Sequence, residues 1–73
     1  VNQVIHNINT KLLDQINRKH ASLAVQTVEH IRPKLIRANV SSEVITRLNW
    51  ISSNIKSGNI KEVKQYLSEA VNS

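Results

Sequence analysis

The chain has 73 residues, enough for one domain, and it contains no Cys, Met or Phe. Disulfide staples and cysteine-ligated metal are excluded, and the lack of Cys suits a reducing, intracellular compartment. The net charge of +5, from ten Lys or Arg against five Asp or Glu, favours acidic partners, yet the two signs are interleaved and no basic run dominates.

Hydrophobic residues, at 40%, are numerous enough for a core and argue against global disorder. One Gly and one Pro are too few turn residues for an all-β fold. No apolar run approaches the roughly 20 residues of a membrane helix, and no signal peptide is discernible, so a soluble domain is expected. A chain that lacks Met and opens on Val1 is expected to be a piece of a longer protein.

Val1, Ile5, Ile8, Leu12 and Ile16 recur at steps of three and four. That spacing places them on one stripe and predicts a helix over 2–18. Ser22 is a candidate N-cap for the next helix, over 22–32, with Ala24, Val25, Val28 and Ile31 on its stripe. Pro33 removes a backbone donor and crowds the preceding turn, so that helix is expected to stop or kink near Arg32. Proline suits a first helical turn, so if the helix stops there, 33–38 is expected to form a separate short helix carrying Leu35.

Asn39-Val40-Ser41-Ser42 forms the next break. Asn39 tolerates the left-handed conformation, and either serine is suited to cap the helix over 42–56. Glu43 favours the positive end of that helix. Ile45, Leu48, Ile51 and Ile55 make its stripe, and Gly58 fits the left-handed position after it. Asn59 and Glu62 resemble a capping box opening a last helix over 60–71, with Ile60, Val63, Leu67, Ala70 and Val71 on its stripe. The predicted fold is an all-α compact bundle of about four short helices, spanning 1–73 as a single domain, with a Pro-broken segment in the middle. Its core is expected from Ile5, Ile8, Leu12, Ile16, Val25, Val28, Ile31, Leu35, Ile45, Leu48, Ile51, Ile55, Val63 and Leu67.

Chemistry is sparse. His6, His20 and His30 have no metal-binding spacing, the serines lie at caps or on polar faces, and one Gly makes no phosphate-cradling loop. No catalytic residue, metal, cofactor or small-molecule substrate is therefore expected. Trp50 stands out because it lies roughly 140° from the centre of the Ile45–Ile55 stripe. It shares an outer face with Glu43, Thr46 and Arg47. A large aromatic on a polar face reads either as a partner contact or as a cover for a neighbouring helix. Tyr66 flanks the last stripe and is expected at the core edge, its hydroxyl in water.

Residues 33–49 resemble a helix-turn-helix of the lac-repressor kind. Ala38, Asn39, Val40 and Ser41 match the turn, and Ile45 and Leu48 match the buried side of the recognition helix. The resemblance implies that Ser41, Ser42, Glu43, Thr46, Arg47 and Trp50 face the major groove, while Arg32, Lys34 and Arg37 meet phosphates. Residues 24–71 are similar in rhythm to the helical bundles of the steroid receptor RNA activator protein and of the related C-terminal region found in a vesicle-coat protein. The helical lid of Hsp70-type chaperones has a comparable rhythm. That likeness implies a binding module. The leading expectation is a non-catalytic protein-interaction module, docking another protein or a second copy through Glu43, Thr46, Arg47 and Trp50. The alternative is a sequence-specific DNA-binding domain using Arg32, Lys34, Arg37, Ser41, Ser42, Thr46 and Arg47.

Overall fold

Each apolar stripe folds as a helix in a computed structural model that describes residues 2–72. The order is α1 (Asn2–Asn17), α2 (Ala21–Arg37), α3 (Ser42–Lys56) and α4 (Ile60–Asn72). No strand occurs among the described residues, so the fold is the expected all-α bundle. The limits of α1, α3 and α4 agree with the sequence reading to within a residue. Val1, placed on the first stripe by its spacing, lies outside the described residues.

The middle of the chain departs from expectation. Pro33 sits inside α2, which runs unbroken to Arg37, so 33–38 is not a separate helix. An interior proline costs about 3 kcal/mol through its missing donor and its ring. Two features offset that cost. The turn beyond Pro33 carries Leu35, only 7% exposed in the core. The helix end is then closed by backbone bonds from Asn39 N–H to the Ile36 carbonyl (3.1 Å) and from Val40 N–H to the Leu35 carbonyl (3.2 Å). The proline itself faces solvent, where bending a helix is cheapest.

That closure occurs three times. After α1, Lys19 N–H donates to the Ile16 carbonyl (3.0 Å) and His20 N–H to the Gln15 carbonyl (2.8 Å). After α3, Gly58 N–H donates to the Ile55 carbonyl (3.1 Å) and Asn59 N–H to the Asn54 carbonyl (2.8 Å). Each is a Schellman motif, which requires a left-handed residue at its centre. Those residues are Lys19 (φ 64°), Asn39 (φ 59°) and Gly58 (φ 86°). Asn39 and Gly58 are as the sequence predicted, and Lys19 is an addition. The helix starts differ more from expectation. His20, not Ser22, stands at the N-cap of α2, and its side chain makes no capping bond. Ser41 holds the N-cap of α3, likewise without a side-chain bond. Asn59 precedes α4, but its amide nitrogen donates back to Asn54 Oδ1 (3.2 Å), where the capping-box reading had paired it with Glu62.

α2 packs mainly on α3 and α1 on α4, with α1–α2 and α3–α4 contacts completing the bundle. Its centre is Leu12, Val28, Ile51, Val63 and Leu67, all at most 1% exposed. Ile16, Leu35, Leu48 and Ile55 surround them as predicted, and Ala24 joins them. Ile5 is half-buried, and Ile8, Val25, Ile31 and Ile45 are partly buried against the core. Burying a side chain of this size contributes about 1.5–3 kcal/mol.

Candidate functional site

Two polar residues enter the core. Ser52 and Gln15 are 4% and 8% exposed. The sequence carries the signal for both, since Ser52 follows Ile45 by seven residues and Leu48 by four, and Gln15 follows Ile8 by seven and Leu12 by three. Each therefore falls at or beside an apolar angle. Gln15 Nε2 donates to Thr27 Oγ1 (3.1 Å), joining α1 to α2. Its Oε1 is buried without a hydrogen-bond partner.

Ser52 belongs to a larger network centred on Glu29 of α2. Ser52 Oγ donates to Glu29 Oε1 (3.2 Å), and Lys56 Nζ lies 3.5 Å from the same oxygen. Arg32 Nη2 donates to Glu29 Oε2 at 2.6 Å, while Arg32 Nη1 donates to Asn49 Oδ1 at 2.8 Å. Partial desolvation pushes the Glu29 carboxyl up, but Arg32, the Ser52 hydroxyl and Lys56 outweigh it and hold the group below the usual glutamate range. This cluster clamps α2 to α3. It occupies Arg32, one of the residues assigned to phosphate contact by the helix-turn-helix resemblance.

The opposite flank of α3 carries the aromatic residues. Trp50 is 39% exposed, and its indole meets the Tyr66 ring of α4 edge-on, with centroids 5.5 Å apart and planes at 70°. Arg47 places its guanidinium carbon 5.4 Å from the centre of the same Tyr66 ring. Glu43 precedes Arg47 by four residues, the spacing of a helix ion pair. No such pair forms, and the guanidinium lies over the aromatic ring. Trp50 thus does both things the sequence allowed: it covers the side of α4 and still shows part of its surface to solvent.

Beneath this cluster lies a recess of about 60 Å³, where all four helices meet. Ile5, Ile8 and Asn9 of α1, Leu35 of α2, Val44, Arg47, Leu48 and Ile51 of α3, and Tyr66 of α4 line it. Its wall is largely aliphatic, with Arg47, Tyr66 and Asn9 as the polar elements. Sequence reasoning placed Ile5, Ile8, Leu35 and Leu48 in a closed core and did not foresee an opening there. Periodicity assigns residues to faces. It does not say whether facing side chains fill the space between them.

The remaining predicted residues lie on the surface of α2, of α3 and of the linker between them. Glu43, Thr46, Lys34, Arg37, Ser41 and Ser42 are all exposed. Arg32 and Lys34 lie two residues apart on one helix, hence about 200° apart around it, on opposite flanks of α2. Asn49, the partner of Arg32, and Arg47 are separated in the same way on α3. Of the basic residues Arg32, Lys34, Arg37 and Arg47, only Arg47 touches the aromatic pair.

No known protein family, curated protein or solved structure matches this chain. No cluster of three or more His, Asp or Glu able to hold a metal occurs among the described residues. No helix among them is long and apolar enough to cross a membrane.

Proposed function

We propose that this chain is a non-catalytic helical docking module of the cell interior. Its contact face consists of Glu43, Thr46, Arg47 and Trp50 on α3, extended by Tyr66 on α4. One observation carries the reading. Arg47 alone among the flanking basic residues lies over Tyr66, the ring that Trp50 also meets, and Arg47 and Tyr66 line a largely apolar recess rather than a basic groove. A partly exposed Trp beside an Arg and a Tyr is the composition enriched at the energetic centre of protein interfaces. Sedimentation velocity and quantitative capture from cell extract test it, comparing the wild type with Trp50→Ala. Loss of self-association or of captured partners in the variant is expected. Unchanged behaviour in both assays removes the face.

A second reading, sequence-specific DNA binding, is favoured by the linker between α2 and α3. That linker is four residues long with Asn39 left-handed, and it leaves Lys34, Arg37, Ser41, Ser42 and Thr46 exposed around it. This reading expects affinity for duplex DNA that falls steeply with salt, as counterion release requires. Arg37→Ala then weakens all sequences alike, and Arg47→Ala relaxes specificity. Fluorescence anisotropy without any duplex binding at low salt excludes it.

A further inference from the structure

We infer that the recess under Tyr66 receives one aliphatic side chain from an acidic amphipathic helix, and that Arg47 pairs with a carboxylate one turn along that helix. The inference rests on the docking reading above and names the chemistry of the partner.

Three observations define the occupant. The recess holds about 60 Å³ and is walled chiefly by Ile5, Ile8, Leu35, Val44, Leu48 and Ile51, an aliphatic lining that suits an aliphatic side chain. Its rim carries a single charge, Arg47, which forms no ion pair among the described residues although Glu43 stands four positions away. A cation held over a ring keeps its N–H groups for a carboxylate, which the planar guanidinium matches in a bidentate way. Finally, the chain carries an excess of five positive charges, which steers acidic partners towards it and basic ones away. A helix suits this geometry because residues three and four apart share one face. One side chain then anchors while its neighbour reaches Arg47.

Trp50 is the only Trp and touches Tyr66, a wall of the recess, so its emission reports occupancy directly. The test uses three Trp-free synthetic helical peptides of about 18 residues, long enough to hold a helix. The first has Leu at its centre and Glu three and four residues to each side. The second replaces Leu with Ala, and the third replaces the Glu residues with Lys. The first peptide is expected to shift Trp50 emission, and each replacement to weaken binding by about tenfold or more. Arg47→Glu, a change at an exposed position, is expected to reverse the preference so that the Lys peptide binds better. Ile5→Phe, filling the recess from a half-buried position, is expected to abolish binding. Circular dichroism verifies folding, and if that variant does not fold, the charge reversal decides.

Equal binding of the Glu and Lys peptides, or unaltered binding of the Glu peptide by Arg47→Glu, overturns the inference. So does the absence of any emission change up to about 1 mM peptide, the weak limit of a specific contact. If Trp50→Ala abolishes self-association while no peptide binds, the acidic helix is refuted and the docking face stands. If neither assay responds, both fall.

Discussion

The Trp50 indole rests edge-on against the Tyr66 ring, with centroids 5.5 Å apart, and this contact joins α3 to α4 at the rim of the recess. Aromatic pairs in this arrangement contribute about 0.5–1.5 kcal/mol beyond the area they bury. A double-mutant cycle of Trp50→Leu and Tyr66→Leu, followed by urea unfolding, is expected to give a coupling in that range. Strict additivity of the two changes means that the rings are neighbours without mutual stabilisation.

Glu29 makes stability depend on acid. Its folded pKa lies below the ordinary glutamate value of 4.5. As pH falls, the unfolded chain therefore takes up the proton before the folded one does. The contribution of Glu29 is complete above the ordinary value and is lost as pH drops through the lowered folded value. The difference in melting temperature between wild type and Glu29→Gln is expected to be constant at neutral pH and to shrink below pH 4.5. A difference that stays the same throughout the acid range contradicts the clamp.

Leu48 is 4% exposed and packs at the junction of core and recess. Leu48→Ala removes buried methyl groups where a cavity already exists, and such truncations cost about 2–5 kcal/mol. A single core of this size supplies about 3–5 kcal/mol of net stability. The variant is expected to be unfolded or nearly so at room temperature by circular dichroism. An unchanged melting temperature refutes this placement of Leu48.

The three left-handed linker residues are not equally suited to their conformation. Lys19 at φ 64° carries a Cβ where Gly58 at φ 86° does not. Lys19→Gly is expected to stabilise the protein by about 1 kcal/mol. Gly58→Ala is expected to destabilise it by a similar amount, through backbone conformation alone, because nothing lies within 4 Å of the added Cβ. Chemical denaturation of both variants measures the pair, and effects of the same sign contradict the account.

Helix positions and two of the three turns were legible in the sequence because both are local. A stripe such as Ile45–Leu48–Ile51–Ile55 needs only the helical period to declare its buried side, and Asn39 and Gly58 announce a left-handed φ by their own sterics. Pro33 misled for the same reason. Its local preference is to break a helix, but Leu35 beyond it has a place in the core, and that non-local burial holds α2 continuous. Ser52 and Gln15 were readable as polar residues at apolar angles, but their partners Glu29 and Thr27 belong to another helix.

By itself the sequence determined the helices, most of the core and the outward placement of Trp50, since these follow from spacing along one chain. The tertiary structure alone decided what each exposed side chain meets. It engaged Arg32 with Glu29 and Asn49, laid Arg47 over Tyr66, and left an unfilled space lined by Arg47 and Tyr66. The physical reason is that these contacts depend on the rotation and separation of helices distant in sequence. Packing sets both quantities, and no period along a single helix encodes them.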